Sequence, residues 1–247
     1  MRNYFDLRGK VALVTGGSRG LGLAMSHAFA EQGASVIISS RKAEACKAAA
    51  DDIESKGGRA VGIGAHVGRW SELEALVEKA YEAFGRVDIL VNNAGMSPLS
   101  PSSLETEEAL FDKVIDVNFK GPFRLTALCA SRMAAGNGGS VINVTSIGSI
   151  RPQPQYAPYS GAKSALNALT VAHAFEYAPK VRVNAILPGS FRTDIAKHWP
   201  AQKEQNIVSA IRRYGEPHEI VSTALYLASD ASSFTTGALI RVDGGRP

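Results

Sequence analysis

Cysteine is scarce in this chain: Cys46 and Cys129 are the only two among 247 residues. Both fall in expected helices and neither has metal-ligand spacing. No disulfide framework or zinc site is implied, and a reducing cytoplasm is the expected setting. Long apolar runs are missing as well. No stretch approaches the ~18 apolar residues of a membrane span. The opening MRNYFDLRGK is polar and has no apolar signal core. Charge of one sign is gathered nowhere. The 27 Lys+Arg are interleaved with 23 Asp+Glu, for a net charge of +4. A nucleic-acid face needs a clustered basic patch, so neither nucleic acid nor membrane is an expected partner. Low-complexity tracts, solenoid repeats and linkers are also lacking. That leaves one domain over 1–247, and α/β domains of this length often stay single.

What is present is alternation. Residues 11–15 (VALVT) form a short apolar run ending at Gly16, which predicts a strand buried on both faces. A helical pattern follows and stops at Gly33. Further strands are expected at 34–39, 60–65, 87–91, 140–145, 181–186 and 238–242. Helices are expected at 42–56, 72–84, 105–117, 121–135, 158–177 and 216–228. Ser71, with Glu74 three residues on, reads as a capping box that opens the 72–84 helix. Strands alternating with helices predict an α/β fold: a doubly wound parallel sheet of about seven strands with right-handed crossovers. Residues 190–214 have no firm periodicity, and segments of that kind are often lids or binding loops.

Two stretches carry chemistry. Between the first strand and first helix lies Thr15-Gly16-x3-Gly20-x-Gly22. Glycines there permit a tight turn and let backbone approach a phosphate at a helix N-terminus. The spacing differs from the GxGxxG of two-domain dehydrogenases. The second stretch holds Ser146 at a strand end, then Tyr159 and Lys163 four residues apart on one helical face. An ammonium beside a phenol favours the phenolate, so Lys163 is expected to lower the pKa of Tyr159. Ser146 could then hold a carbonyl oxygen while Tyr159 exchanges a proton with it. That is acid–base chemistry on an alcohol or ketone, and it needs a hydride carrier.

Seven segments together, TGGSRGLG (15–22), NNAG (92–95), Asn118 in VNFKG, Ser146, YSGAK (159–163), VNAILPGSFRT (183–193) and VDGG (242–245), resemble the short-chain dehydrogenase/reductase family. They run in that family's order and spacing over nearly the whole chain. The single-domain members with a YxxxK site are the nearest in pattern, including 3-oxoacyl reductases and gluconate-dehydrogenase-like enzymes. The resemblance implies a Rossmann-type domain, a nicotinamide cofactor and a catalytic tetrad of Asn118, Ser146, Tyr159 and Lys163. Asn118 would support a water linking Lys163 to solvent. Lys163 would also hold the nicotinamide ribose, and Thr193, after Pro188 and Gly189, would anchor the carboxamide. Other cofactor contacts implied are Gly16, Ser18, Arg19, Gly20, Leu21, Gly22, Asn92, Ala94 and Gly95, with Tyr159 and Lys163 themselves.

Cofactor choice turns on Ser40 and Arg41. Where NAD-preferring members place an acid at the end of the second strand, this chain has Ser40. A carboxylate would repel a 2′-phosphate and serine does not. Arg41, with Arg19 from the glycine loop, would complete a phosphate clamp. NADP(H) is the expected cofactor, with NAD(H) as the alternative. The bland reading makes Arg41 and Lys42 solvated charges opening a helix. After the third strand the family often has Asp-Val; here it is His66-Val67. His66 would either contact adenine or cap the strand.

Substrate contacts are expected from 96–99, 147–156 and 190–214. Ile147, Ile150, Phe191 and Trp199 supply apolar surface there, and Arg151, Gln153, Gln155 and Arg192 polar groups. Tyr156 has no lysine four residues on and is expected to line the pocket. After the 121–135 helix the chain reads AAGNGGS, without the basic residues that ketoacyl-carrier-protein reductases often place there. That favours a free small carbonyl, alcohol or sugar-like substrate. The expected function is oxidation of a secondary alcohol or reduction of a ketone. A 3-oxoacyl-thioester reductase, or a cofactor-binding protein without turnover, is the alternative. Small residues along the helix after Tyr159 (Gly161, Ala162, Ala165, Ala168, Ala172) allow close helix approach. Family members commonly pair this helix and the 121–135 helix across a two-fold axis, which implies a homotetramer or homodimer.

Overall fold

The computed structural model describes residues 3–193 and 209–246. β1 (Val11–Thr15) is buried at every residue, as a parallel strand covered on both faces should be. α1 (Gly20–Glu31) ends where Gly33 takes φ 93° and donates its N–H to Ala30. There follow β2 (Ser35–Ser40), α2 (Ala43–Ser55), β3 (Arg59–Gly64), α3 (Trp70–Phe84) and β4 (Ile89–Asn92). The second half runs α4 (Glu108–Ile115), a π-helical turn (Asp116–Lys120), α5 (Gly121–Ala135), β5 (Gly139–Val144), α6 (Ala157–Glu176), β6 (Val181–Pro188), α7 (Val221–Ala228) and β7 (Leu239–Val242).

All seven strands are parallel, in the order β3-β2-β1-β4-β5-β6-β7. Alternate strand residues face opposite layers. Val14, Val36 and Ile38 meet Met25 and Phe29 of α1, Cys46 and Ile53 of α2 and Leu227 of α7. Leu13, Ile37 and Leu90 meet Leu76 of α3 and Leu125, Cys129 and Met133 of α5. This is the Rossmann-like α/β sandwich that the alternation predicts. The chain turns from one half of the sheet to the other between β1 and β4. Beyond their carboxyl ends lies the crevice in which such sheets bind ligands.

Several local expectations are corrected. Ser71 is not an N-cap: α3 starts at Trp70 and its cap residue, Arg69, makes no side-chain cap. Glu72, in the first turn of α3, ties the helix to the turn that precedes it. Its carboxylate accepts the His66 N–H at 2.7 Å and pairs with Arg69 at 2.9 Å. The 105–117 helix is shorter and runs through the π turn without a break into α5. The 216–228 helix opens with a 3-10 turn, Pro217–Ile220, capped reciprocally by Glu216 and Glu219. Residues 194–208 of the expected lid, Trp199 included, lie outside the described residues. No described helix is long and apolar enough to cross a membrane. Among the described residues no group of His, Cys, Asp and Glu could hold a metal ion.

Candidate functional site

The glycine loop sits at the mouth of the crevice. Gly16 and Gly20 take φ values of 63° and 57°, a region that side chains disfavour. Gly22 is needed for space, since a Cβ there would lie 2.3 Å from the Gly16 carbonyl oxygen. Asn93 ties this turn to β4. Its amide donates to Thr15 O at 2.9 Å and Gly16 O at 3.2 Å. Thr15 completes the tie: its hydroxyl donates to Val91 O and accepts from the N–H groups of Asn93 and Ala94. Thr15 and Asn93 were not singled out from the sequence, although both lie inside quoted motifs. Asn92, by contrast, is buried behind the crevice, where its amide donates to Thr126 and Asn143. Leu21 packs against the core beneath the loop.

No side chain caps α1, so the N–H groups of its first turn are left for another acceptor. Left-handed glycines, a turn with no room for a Cβ and an uncapped N-terminus suit a dinucleotide pyrophosphate. The 188–193 segment closes over the same loop. Gly189 follows Pro188 at the end of β6, and a Cβ on it would lie 2.7 Å from Asp243 Cα. The Thr193 side chain comes within 3.5 Å of the Cβ position of Gly20.

At the end of β2, Ser18 donates to Ser40 Oγ at 2.9 Å, and Ser40 Oγ lies 3.0 Å from the thiol of Cys46. Arg19 and Arg41 are exposed on this side. His66 caps the turn after β3, its Nδ1 accepting the Gly68 N–H at 3.1 Å. Val67 is buried in the core.

The candidate reacting groups lie beyond the ends of β4 and β5 and at the start of α6. Ser146 leaves β5 and caps the short 3-10 turn Ile147–Ser149, its Oγ accepting the Gly148 N–H at 3.0 Å. Tyr159 is half-buried one turn into α6, within hydrogen-bonding reach of Ser146. Lys163, one turn further, is 3 % exposed and donates to Val144 O at 2.8 Å. Its Nζ lies 5.9 Å from the centroid of the Tyr159 ring. Asn118 sits in the π turn, a local widening that is frequent at functional sites. Both its amide hydrogens are committed, to Met96 O and Val114 O at 2.9 Å, and its Oδ1 accepts the Met96 N–H at 3.2 Å. This holds the 95–96 backbone in place. The Cβ position of Gly95 is 3.0 Å from Asn118 Oδ1 and 3.6 Å from Lys163 Nζ. The structure thus brings Gly95, Asn118, Ser146, Tyr159 and Lys163 together.

Electrostatics here depart from the expectation. Burial pushes the Tyr159 phenol above its usual value, and the Ser146 hydrogen bond works against that shift. Lys163 exerts no resolved pull on it. The reason is that Lys163 is itself weakened, brought down to about 7 by burial. A lysine near half-charge at neutral pH exerts only part of the field that its sequence position promises.

On the substrate side, the Tyr156 ring meets Tyr159 edge-on at 6.1 Å. Gln153, Gln155, Ile150 and Arg151 are exposed, whereas Ile147 is buried. Phe191 is corrected: it is 6 % exposed and belongs to the core, bridged to Gly215. Arg192 pairs with Glu216 at 3.2 Å and lies over Tyr214.

Comparison with known proteins agrees with this geometry. The family described as enoyl-(acyl carrier protein) reductase matches residues 16–246. Human dehydrogenase/reductase SDR family member 4 is 37% identical over 246 residues, 98% of this chain and 88% of that protein. A 7α-hydroxysteroid dehydrogenase solved with NADH and 7-oxo glycochenodeoxycholic acid superposes with TM-score 0.94 at 34% identity, over 99% of this chain and 98% of that one. A putative NAD(P)-dependent gluconate 5-dehydrogenase from Beutenbergia cavernae, with bound NADP, gives TM-score 0.93 at 32% identity over 98% of both chains.

The buried lysine has a measurable signature. Its pKa of about 7 in the fold lies below the ordinary 10.5. Between those values the unfolded chain binds the extra proton, so folding stability rises with pH across the window and the charge is destabilising below it. From pH 7 to pH 9 the wild type should gain about 2 kcal/mol relative to Lys163→Met in urea unfolding without cofactor. Parallel pH profiles for the two proteins would show that Lys163 is not held in this way.

Proposed function

The chain belongs to the short-chain dehydrogenase/reductase family, and on that premise we propose that it interconverts a secondary alcohol and a ketone with NADP(H), using Tyr159 as the acid–base group. An NAD(P)-dependent oxidoreductase is the class its relatives establish. The observation that carries the finer reading is the Ser146 hydroxyl. Its oxygen accepts from Gly148 and lies within hydrogen-bonding reach of the Tyr159 phenol, which leaves its own hydrogen available to a substrate oxygen held between the two.

A bound nicotinamide would supply or accept the hydride at the carbonyl carbon. The glycine loop and the α1 N-terminus would hold its pyrophosphate, and Thr193 its carboxamide end. Everything else belongs to the chain. Ser146 donates to the substrate oxygen and keeps it against Tyr159. In reduction the phenol, which burial moves still further from ionising at neutral pH, gives its proton to that oxygen. In oxidation it takes the proton back. Lys163, titrating near neutrality, is able to exchange protons on the far side of Tyr159. Asn118 keeps the 95–96 backbone against Lys163 and defines one wall of the site.

Ser40, Arg41 and Arg19 support NADP(H) over NAD(H): a serine and two exposed guanidiniums stand where a carboxylate would repel a 2′-phosphate. The solved relatives carry NADP in one case and NADH in another, so the choice rests on this chain's own residues. The substrate we infer is a free small carbonyl or alcohol, because the AAGNGGS segment after α5 offers no cation to a carrier protein. A homotetramer is supported by exposed apolar side chains in two parts of the chain. One runs along α5 and α6, with Phe123, Val171 and Phe175 exposed; the other lies at the β7 edge, with Phe234 and Leu239. Unpaired buried thiols at Cys46 and Cys129 suit a reducing cytoplasm.

Three outcomes are expected. Tyr159→Phe folds, binds cofactor and loses on the order of 10²-fold or more in turnover, the scale of one acid–base group; near-normal turnover refutes the assignment. Activity is sought in a panel of a keto sugar acid, a 7-oxo steroid, a 3-oxoacyl thioester and simple ketones. Fluorescence titration gives tighter binding of NADPH than NADH, and the reverse order removes the phosphate clamp. Light scattering gives four chains per particle, and a monomer overturns the assembly.

A further inference from the structure

Tyr159, Lys163 and Asn167 repeat at intervals of four along α6, so they share one stripe of the helix. The first two belong to the reaction proposed above. Asn167 does not reach the crevice. It is 7 % exposed, and its Nδ2 lies 2.7 Å from Ser149 Oγ. Ser149 Oγ in turn lies 2.6 Å from the carbonyl oxygen of Ser146. A carbonyl only accepts, so the single hydroxyl proton of Ser149 goes to Ser146 O. The Ser149 oxygen is then free to accept, and Asn167 must present its NH2 group. The direction of the chain is therefore set: Asn167 donates to Ser149, and Ser149 donates to Ser146. Ser164, on the same helix, lies 2.6 Å from Ser149 O and 2.8 Å from Ser160 O, so its one hydroxyl proton is divided between that turn and its own helix.

Asn167 is a costly residue to place here. Its Oδ1 is buried without a hydrogen-bond partner among the described residues. An unpaired buried acceptor destabilises, and an apolar side chain of similar size would avoid that loss. What the amide offers in exchange is a donor aimed at the turn that carries Ser146. Within that turn the Ser146 carbonyl accepts twice, from the N–H of Ser149 at 3.0 Å and from its hydroxyl. The Ser146 Oγ accepts from Gly148 two residues on. Fixing the carbonyl side of Ser146 and the Gly148 peptide together fixes where its hydroxyl points.

We propose that Asn167 is a positioning residue for Ser146: through Ser149 it anchors the Ile147–Ser149 turn to α6 and so sets the Ser146 hydroxyl at its working distance from Tyr159. The inference rests on the reading of Ser146 and Tyr159 as reacting groups. It accounts for a polar chain that touches neither cofactor crevice nor solvent. A hydroxyl misplaced by about 1 Å is enough to slow a reaction up to 10²-fold without loss of binding.

The test uses Asn167→Asp, which keeps the shape and removes the donor, and Ser149→Ala, which removes the relay without adding charge. Each is made in the wild type and in Ser146→Ala. Turnover is followed with NADPH and the best ketone of the panel, and cofactor affinity by fluorescence. The expected result is a fall in kcat of roughly 5- to 20-fold in both single variants, within the range for one misaligned donor, with unchanged NADPH affinity. In the Ser146→Ala background the same changes should cost less than about twofold, because they act through a hydroxyl no longer there. Wild-type kcat in both single variants overturns the inference. So does an equal loss with and without Ser146, which would mark Asn167 as a packing residue. If Ser146→Ala itself leaves turnover intact, the reading of the site fails and this inference with it; if Ser146→Ala is slow while both single variants are fast, only the positioning role falls.

Discussion

Lys163 carries an ammonium group into a place that water does not reach, and the carbonyl of Val144 is the acceptor it meets there. Burying a charge costs free energy unless it is paired, and the fall of its pKa to about 7 expresses that cost. The neighbourhood is organised around this contact. Val144 is the last residue of β5, so the bond locks α6 to the strand that leads into Ser146. A side chain at Gly95 would press on Asn118 Oδ1, 3.0 Å from its Cβ position, with Lys163 Nζ in contact at 3.6 Å. Asn118 in turn holds the 95–96 backbone where β4 runs out, and the π turn is where that asparagine sits.

A second constraint acts at the other end of the crevice. β1 and β4 are neighbours in the sheet, and Thr15 and Asn93 tie their carboxyl ends by side-chain bonds where the ladder stops. The glycine loop is therefore held by the strand that delivers Gly95 to Lys163. The glycine loop and the Gly95 backbone beside Lys163 thus hang on one pair of neighbouring strands, and rigid elements place groups more accurately than loops do.

The sheet was legible because its signals are strong and local. VALVT and ILVN are continuous apolar runs, glycines stop the helices, and alternation admits few topologies. Ser146, Tyr159 and Lys163 were legible as spacing. Their electrostatics were not, because burial is a property of the whole fold: four residues of helix predict that Lys163 faces Tyr159, but not that Lys163 is buried and Tyr159 half-buried. The π turn escaped for a related reason. Its sequence, DVNFK, reads as helix on either side, and nothing in it marks the wider turn that sets Asn118 against Met96. Ser71 looked like a cap by type, yet Glu72 reached the strand exit first. Phe191 looked like pocket surface, yet it completes the core, with Gly215 kept bare to admit its ring. In each case a tertiary contact outweighed a local preference.

The α6 stripe shows what function asks of stability. Lys163 has one hydrogen-bond acceptor, Asn167 leaves an oxygen unpaired, and Ser160 Oγ is buried without a partner among the described residues. A helix chosen for packing alone would carry leucine at such positions, as it does at Leu166. The polar groups lie along the side of α6 that meets β5 and the Ser146 turn. Two crossings join these elements, Lys163 to Val144 and Asn167 through Ser149 to Ser146. They lie about one helical turn apart, on either side of the peptide between Thr145 and Ser146. A single crossing would leave that peptide free to rotate about it; two resist rotation. The unpaired oxygen of Asn167 accompanies a donor that reaches the turn carrying Ser146. A ligand that brings hydroxyl groups to Lys163 would relieve part of the cost and stabilise the fold in proportion to its binding.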